Sequence, residues 1–392
     1  MNDIKALYSL WMEKAVLDKD LQDELKSIEG DEEAILDRFY KNLEFGTGGL
    51  RGVIGAGTNR MNVYTVAQAT QGLADYLNEE FDEPSVAIAY DSRIKSDVFA
   101  ECAAGVLAAN GIKVYIYPEL MPTPMLSFAV RRLGCSSGIV LTASHNPSKY
   151  NGYKCYDYRG FQITDEGAAK TYDYMKKVDM FDGVKRMDFE DALAEDMVDY
   201  IEDWLKDEFI EQVLNCSVNP EVVKKSGLKV LYTPLNGTGN KPVRRVLKKL
   251  GVEDLRVVKV QEKPDGNFPT VKSPNPEDKE GFATGIEIAK KEGCDLIVGT
   301  DPDADRLGVA VLEADADASA YMLTGTEARK YFNSDAGVTK FYAVPSATYR
   351  ALDLTNKDSL TALLTDSNLV GTLTHGNCGE AATGTLNLVL DS

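Results

Sequence analysis

The sequence is almost free of histidine. His145 and His375 are the only two in 392 residues, so a histidine-dependent triad elsewhere in the chain is nearly excluded. No Gly-x-Ser-x-Gly elbow surrounds the serine beside His145, which argues against a hydrolase triad there too. Cysteine is sparse: Cys102, Cys135, Cys155, Cys216, Cys294 and Cys378 lie far apart. With no Cys-x-x-Cys pair, neither a zinc cluster nor a dithiol redox motif is expected. There is no apolar run of about 18 residues, hence no transmembrane helix is expected. The opening MNDIKALYSLWMEKAV carries Asp3 and Glu13 and lacks a signal peptide's apolar stretch and small-residue cleavage site. A cytoplasmic protein with free thiols is the expectation. Basic excess is missing as well. Lys plus Arg number 43 against 62 Asp plus Glu, a net charge of -19. That argues against nucleic acid and against an anionic membrane surface. An anionic metabolite stays open, because a local basic pocket or a bound cation overrides the global field.

What is present is ordinary globular material: 44% hydrophobic and 27% charged residues. At roughly 100–200 residues per domain, two to three domains are expected. The first 42 residues read as one or two amphipathic helices, with Leu7, Leu10, Trp11 and Ala15 at helical spacing. A glycine-rich stretch follows, from Phe45 to Gly57. Helices and short apolar strands then alternate: VAQATQGLADYL, SVAIAY, VFAECAAGVLAAN, IKVYIY, MLSFAVRRL, GIVLTA. The alternation restarts near Leu228 with LKVLYTP, KPVRRVLKKL, LRVVKV, a Pro-rich loop, IEIAKKE and CDLIVG. Acidic helical sequence between about Met180 and Gln212 bridges the two runs. This pattern predicts an α/β protein: tandem three-layer αβα domains with mostly parallel sheets. The expected domains are residues 1–195, residues 205–312, and a partial or divergent third domain over 313–392. From about Lys330 charges thin out and Thr, Ser, Asn and Gly rise, so no element is assigned there.

Two loops carry chemistry. The strand GIVLTA runs into Ser144-His145-Asn146-Pro147, with Lys154 shortly after Asn151-Gly152. In parallel sheets, chemistry gathers in loops beyond the carboxyl ends of strands. A serine hydroxyl needs a base or a nearby cation to act as a nucleophile, and His145 and Lys154 supply candidates. A polar turn is the competing reading. The second loop follows CDLIVG, where Asp301, Asp303 and Asp305 alternate in T-D-P-D-A-D-R. Three carboxylates so close raise one another's pKa unless a cation compensates. The natural compensation is a hard divalent ion, and magnesium suits phosphoryl chemistry. An EF-hand would need Gly and Glu where Arg306 and Leu312 stand. A solvated acidic turn remains the bland alternative. Arg306 is placed either to bind a phosphate or to pair with an aspartate.

Two weaker signals accompany these. Gly46-Thr47-Gly48-Gly49-Leu50-Arg51-Gly52 has an arginine among bare amides, as phosphate-cradling loops do. It matches neither a Walker loop nor a dinucleotide fingerprint, and a flexible loop is its alternative. Thr47 and Gly48 are candidates for substrate contact. Asp91-Ser92-Arg93 closes the strand SVAIAY. It reads either as a substrate contact or as a capped turn with an internal ion pair.

Taken together these segments resemble the α-D-phosphohexomutase family, the phosphoglucomutases and phosphomannomutases. FGTGGLRG, TASHNP with NGYK, TPLNGTG (Thr233 to Gly239), PDGNFP with PNPE, and GTDPDADR occur in the family's order, over about residues 1–312. GAGTNRMN resembles the phosphoglucomutase branch that includes bacterial enzymes and phosphopentomutase-like members. The resemblance implies that Ser144 is carried as a phosphoserine, and that its phosphate and Asp301, Asp303 and Asp305 hold Mg2+. It implies phosphoryl transfer to a hexose monophosphate through a bisphosphate, with glucose 1,6-bisphosphate as activator. Lys154 and His145 would assist proton transfer, and Arg51 would stabilise the moving group. Sugar phosphates are the expected partners of a monomer or weak homodimer.

The sequence departs from the pattern at its end. No Gly-Glu-Glu sugar-selecting loop and no Arg-Ser/Thr-Gly-Thr phosphate loop are found, and Asn236 stands where relatives often have histidine. A C-terminal part that is missing or divergent is the expectation. Interconversion of glucose 1-phosphate and glucose 6-phosphate leads. The alternatives are a mutase for mannose, pentose or amino-sugar phosphates, a phosphatase with an Asp301-cluster nucleophile, and a metal- and phosphosugar-binding chain without turnover.

Overall fold

The computed structural model describes residues 2–46, 48–311, 321–323, 337–342, 369–375 and 383–386. The chain divides into two compact units, Met1–Met322 and Leu323–Ser392. Two sheets organise the first. One contains β1 (Gly49–Val53), β2 (Ser85–Tyr90), β3 (Lys113–Ile116), β4 (Ser137–Leu141), β5 (Tyr150–Asp157) and β6 (Val198–Tyr200) in the order β1-β5-β4-β2-β3-β6. Strands β4, β2, β3 and β6 are parallel, while β5 runs antiparallel to both β4 and β1. The other contains β7 (Lys229–Thr233), β8 (Asp254–Val257), β9 (Leu296–Thr300), β10 (Leu307–Val311) and β11 (Tyr321–Leu323) in the order β11-β10-β9-β7-β8. Strand β7 is parallel to β8 and β9, and β10 is antiparallel to β9. The chain is thus α/β with mostly parallel sheets, as the alternation predicts.

The layering follows from strand periodicity. Alternate residues of β2 face opposite ways. Val86 and Ile88 enter one core with the helices Val63–Glu80 and Ser96–Ala109. Ala87 and Ala89 enter another with Met125, Leu126, Ala129 and Leu205 from the helices Thr123–Leu133 and Asp203–Asn215. The second sheet repeats the device. Leu231 and Ile297 meet Phe282 and Ala289 on one face, while Val230, Tyr232 and Val298 meet Val243 and Leu247 on the other. Each fully buried side chain of this size contributes about 1.5–3 kcal/mol, so helices on both faces are the stable arrangement for strands apolar on both sides.

The sequence reading and the structure differ in three places. Strand β1 lies inside the glycine-rich stretch, and β5 is built from YNGYKCYD, whose glycine and polar residues hide it from a hydrophobicity count. The acidic bridge holds helices Phe189–Ala194 and Asp203–Asn215, but also the three-residue edge strand β6, which joins the first sheet. The N-terminal segment forms three helices, Asn2–Lys14, Lys19–Ser27 and Glu32–Phe39, with Asp18 and Asp31 capping the second and third. They are anchored by Trp11, buried edge-on against Phe39, Tyr64 and Phe181.

In the second unit, β12 (Gly337–Tyr342), β13 (Leu369–His375) and β14 (Thr383–Leu386) form an antiparallel sheet in that order. Threonine- and glycine-rich strands such as GVTKFY give little periodic signal, which is why the sequence assigned nothing there. Among the described residues no helix is long and apolar enough to cross a membrane.

Candidate functional site

Both chemical loops leave the carboxyl ends of parallel strands, and they meet. Ser144 follows β4 and holds a left-handed backbone, φ 52°. A non-glycine residue there stores about 1–3 kcal/mol and needs surrounding structure to impose it. The Ser144 amide donates to Thr142 Oγ1 at 2.8 Å, and that hydroxyl donates to Asp91 Oδ2 at 2.6 Å. Asp91 Oδ1 in turn accepts from Ser96 Oγ at 2.8 Å and from the Arg93 amide at 2.9 Å. The Arg93 guanidinium clamps the loop from below. It donates to the carbonyls of Ser144 (2.6 Å), Asn146 (2.5 Å), Pro147 (3.0 Å) and Tyr150 (2.9 Å).

Asp91 and Arg93 therefore correct the expectation of substrate contact. Both side chains are fully buried and form an ion pair at 3.4 Å. Burial raises the Asp91 carboxyl, opposed mainly by the Arg93 charge, and burial lowers the Arg93 guanidinium. These residues position the loop and have no surface to offer a ligand.

The acidic loop lies across from Ser144. The Ser144 hydroxyl donates to Asp301 Oδ2 at 2.8 Å and lies 3.2 Å from His145 Nδ1. Ligand atoms of Asp301, Asp303 and Asp305 all fall within 4.8 Å of one another. Lys154, on β5, donates to Asp303 Oδ2 at 2.9 Å and lies 3.4 Å from Asp305 Oδ2. Thr123, at the start of its helix, gives Asp303 two more bonds: its hydroxyl to Oδ2 and its amide to the backbone carbonyl, each 2.9 Å. Arg306 donates its amide to Asp301 Oδ1 at 3.0 Å, and its guanidinium pairs with Glu277 at 3.1 Å.

The electrostatics is that of a charged site short of cations. Burial, with repulsion from Asp303 and Asp305, drives the Asp301 carboxyl well above the carboxylate range. Burial and Asp303 also raise Asp305. Burial would raise Asp303 as well, but Lys154 outweighs it and holds Asp303 at about 2. Lys154 itself is raised by Asp303 and Asp305 despite its burial. Burial, Arg306 and Arg51 lower His145, which keeps its ring neutral. Three carboxyl groups face one ammonium, and the only other cation paired with them among the described residues, the Arg306 guanidinium 4.0 Å from Asp301, is shared with Glu277. The buried Asp303 Oδ1 has no hydrogen-bond partner among the described residues. An orphaned carboxylate oxygen beside two further acids fits the donor set of a hard divalent cation.

The loop is held in this shape by TPLNGTG. Gly237 packs against Pro302, between the first two acids. A Cβ there would lie 2.4 Å from Pro302 Cα and 2.6 Å from its carbonyl oxygen. The amide and hydroxyl of Thr238 both donate to that same carbonyl at 2.8 Å. Gly237→Ala is expected to displace the acidic loop. Overpacking should cost about 1–3 kcal/mol and weaken divalent-cation binding, both read from thermal unfolding with and without Mg2+.

The remaining candidates are scattered around this centre. Arg51 is exposed on β1, paired in register with Gly152. Gly48 lines the cavity beside it, and Thr47 lies outside the described residues. The sequence reading missed Thr123, Thr142, Ser273 and Glu277. Ser273 Oγ donates to the His145 carbonyl. Thr142 stands just past the end of β4, and Thr123 opens the helix that follows β3; those places are the one positional signal they carry.

Comparison with known proteins places this site in a lineage. The description "Phosphoglucomutase/phosphomannomutase, alpha/beta/alpha domain I" matches residues 42–181, and domain II of the same family matches 207–314. A curated phosphoglucomutase from Staphylococcus aureus (strain bovine RF122 / ET3-1) is 37% identical over 310 residues, 78% of this chain and 54% of that protein. The chain thus spans about half the length of the curated relatives it matches. A crystal structure from Thermus thermophilus, named as a phosphomannomutase, aligns with a TM-score of 0.59 at 27% identity, covering 69% of this chain and 57% of its own. A phosphoglucomutase/phosphomannomutase family protein from Burkholderia thailandensis shares the fold: TM-score 0.55, 24% identity, 70% and 55% covered. On these matches, the chain belongs to the phosphoglucomutase/phosphomannomutase family.

Proposed function

We propose that this chain carries the phosphoryl-exchange half of a phosphohexomutase, with Ser144 as the group that holds and returns the phosphoryl. The substrate class is a hexose monophosphate, glucose 1-phosphate and glucose 6-phosphate first, in line with the names of its relatives. The observation that carries the reading is the 2.8 Å bond between the Ser144 hydroxyl and Asp301, from loops 157 residues apart in sequence. A polar turn and an acidic turn with unrelated roles have no reason to share a buried hydrogen bond.

In the transfer, the P–Oγ bond of phosphoserine breaks as a bond forms from phosphorus to a sugar hydroxyl oxygen. The sugar hydroxyl loses its proton to solvent, and the leaving Ser144 oxygen takes one up. His145 Nδ1 lies 3.2 Å from Oγ: its neutral ring is placed to take the Ser144 proton when the serine is phosphorylated, and the imidazolium so formed to return it when Oγ leaves phosphorus. Lys154, held protonated by its acidic neighbours, contributes fixed positive charge beside the transfer path. Arg51 supplies a second charge from the rim. Asp301, Asp303 and Asp305 would hold Mg2+, which when bound supplies neutralisation of phosphoryl oxygens. Preorganised charge of this kind, rather than covalent activation by the protein, is what phosphoryl transfer requires.

The test has two parts. Incubation with glucose 1,6-bisphosphate and Mg2+, followed by intact-mass analysis, should add one phosphoryl group at Ser144. A coupled assay with glucose 1-phosphate then separates a turning-over mutase from a chain that exchanges phosphate without isomerising. Absence of any phosphoryl gain would sink the reading. Asp303→Asn should lower Mg2+ affinity at least about tenfold. Loss of a supporting partner alone costs 10–100-fold in metal affinity, and here a candidate ligand itself loses its charge. Titration of the Mg2+-dependent rise in unfolding temperature measures this.

A further inference from the structure

The Pro-rich loop from Lys263 to Asp278 runs between a short turn at Lys259–Gln261 and the helix Lys279–Glu292. It belongs to the half of the first unit built on the second sheet, yet it reaches onto the other half. Its base is tied to its own side. Asn236, left-handed at φ 59°, donates its amide to the Gln261 carbonyl and its side chain to the Lys263 carbonyl, each at 2.8 Å. The Asn236 carbonyl accepts from the Asp265 amide at 3.2 Å. Buried Gln261 adds a bond to Thr270 at 2.9 Å. Glu277 pairs with Arg306 at 3.1 Å, beside the acidic loop. Three residues then cross over. Gly266 lies against the turn that follows β2. A Cβ there would sit 2.5 Å from the Ile94 nitrogen and 2.9 Å from the Ser92 carbonyl oxygen, so only glycine fits. Phe268 is 1% exposed and left-handed at φ 47°, a backbone that a bulky residue keeps only when its surroundings impose it. Its ring lies 5.1 Å from the Arg93 guanidinium, the group that holds four carbonyls of the Ser144 loop. Ser273 donates its hydroxyl to the His145 carbonyl. One loop thus meets the Ser144 loop through Arg93 and His145, and the acidic loop through Arg306.

Resting on the phosphoserine reading above, we propose that this loop is a clasp that sets the distance between Ser144 and the acidic cluster, with Phe268 and Ser273 as positioning residues. The two reacting loops leave different sheets, and a misplacement of about 1 Å costs about a hundredfold in rate. The direct links at the site are polar and end on the aspartates: Ser144 on Asp301, Thr123 and Lys154 on Asp303. Any phosphate or cation bound there competes with them. The clasp uses an aromatic ring, a close backbone contact and a bond to a backbone carbonyl, so it persists while the bonds to the aspartates are exchanged. Phe268 has no exposed surface to offer a ligand and acts through Arg93.

Amide hydrogen exchange, and Ser144 labelling by glucose 1,6-bisphosphate with Mg2+, test this on the full chain in Phe268→Ala and Ser273→Ala. Exchange in the peptide spanning residues 142–150 is expected to rise about tenfold in Phe268→Ala, although no residue of that peptide is changed. The saturated labelling rate should fall by about a hundredfold, with the bisphosphate concentration for half-maximal labelling unchanged. Ser273→Ala removes one hydrogen bond and leaves the fold in place. It should raise the same exchange and slow saturated labelling by up to about tenfold, the most that one net hydrogen bond is worth. Leu247→Ala loosens the core on the other face of the second sheet, against Val230 and Tyr232, and should label at the parent's saturated rate. Equal slowing in Leu247→Ala would reduce the effect to lost stability and overturn the clasp. Parental exchange and labelling in both Phe268→Ala and Ser273→Ala would also overturn it, and would leave the Ser144 reading intact. Raised exchange with no label on any protein, the parent included, would instead remove the phosphoserine chemistry and keep the clasp.

Discussion

Ser144→Ala is expected to take up no phosphoryl group from glucose 1,6-bisphosphate, and any mutase turnover should fall by about 10⁴-fold or more, the scale on which loss of a covalent nucleophile is felt. The fold should barely notice. The substitution removes one hydrogen bond to Asp301, about 0.5–1.5 kcal/mol. The left-handed strain at φ 52° persists, because alanine tolerates that region no better than serine. Thr142 still receives the amide of residue 144, since that bond uses no side-chain atom of the serine. Activity and stability thus separate: full loss of label on a protein whose unfolding midpoint moves by a few degrees at most. The same variant decides between nucleophiles. If phosphate still appears on Ser144→Ala, the acceptor is an aspartate of the 301–305 cluster and the chain acts as a phosphatase.

The parallel units were legible because their strands are short apolar runs bounded by turn residues, and their helices show helical spacing. GIVLTA and CDLIVG are examples, and each delivers its loop to the carboxyl end of a sheet. What escaped is whatever depends on partners distant in sequence. Strand β5 reads as a polar loop until β4 and β1 flank it, since only pairing makes YNGYKCYD extended. Asp91 and Arg93 looked equally suited to a ligand or to each other. The deciding fact is that the Arg93 guanidinium is enclosed by carbonyls from residues 144 to 150, a contact across more than fifty residues. The convergence of the acidic trio was legible from spacing alone. The lysine that compensates it lies on the strand the sequence hid. Local pattern reveals which groups exist, and burial decides which of them a solute meets.

Arg93→Leu is expected to destabilise the protein by about 3–5 kcal/mol, the range for removing one partner of a buried charge pair. Two losses combine. Asp91 keeps its hydroxyl and amide donors but is left as a buried carboxyl with no positive neighbour at 3.4 Å. Four carbonyls lose their donor at once. Phe268, stacked 5.1 Å from the guanidinium, loses that face as well. Arg93→Lys should recover only part of this, because one ammonium cannot span four carbonyls that a planar fork reaches. Urea denaturation of both variants gives the free energies. The functional consequence follows from position. With the clamp gone, only the Thr142 hydroxyl still holds the Ser144 amide, so the left-handed turn loosens and the Ser144 hydroxyl no longer meets Asp301 at a fixed distance. In the folded fraction, Ser144 phosphorylation by the bisphosphate should slow by about a hundredfold, as misplacement by about 1 Å does. The bisphosphate concentration for half-maximal labelling should stay near that of the parent, since Arg93 has no exposed surface to bind it. A rise in that concentration with the saturated rate unchanged would make Arg93 a ligand contact after all, and would restore the expectation the buried geometry overturned.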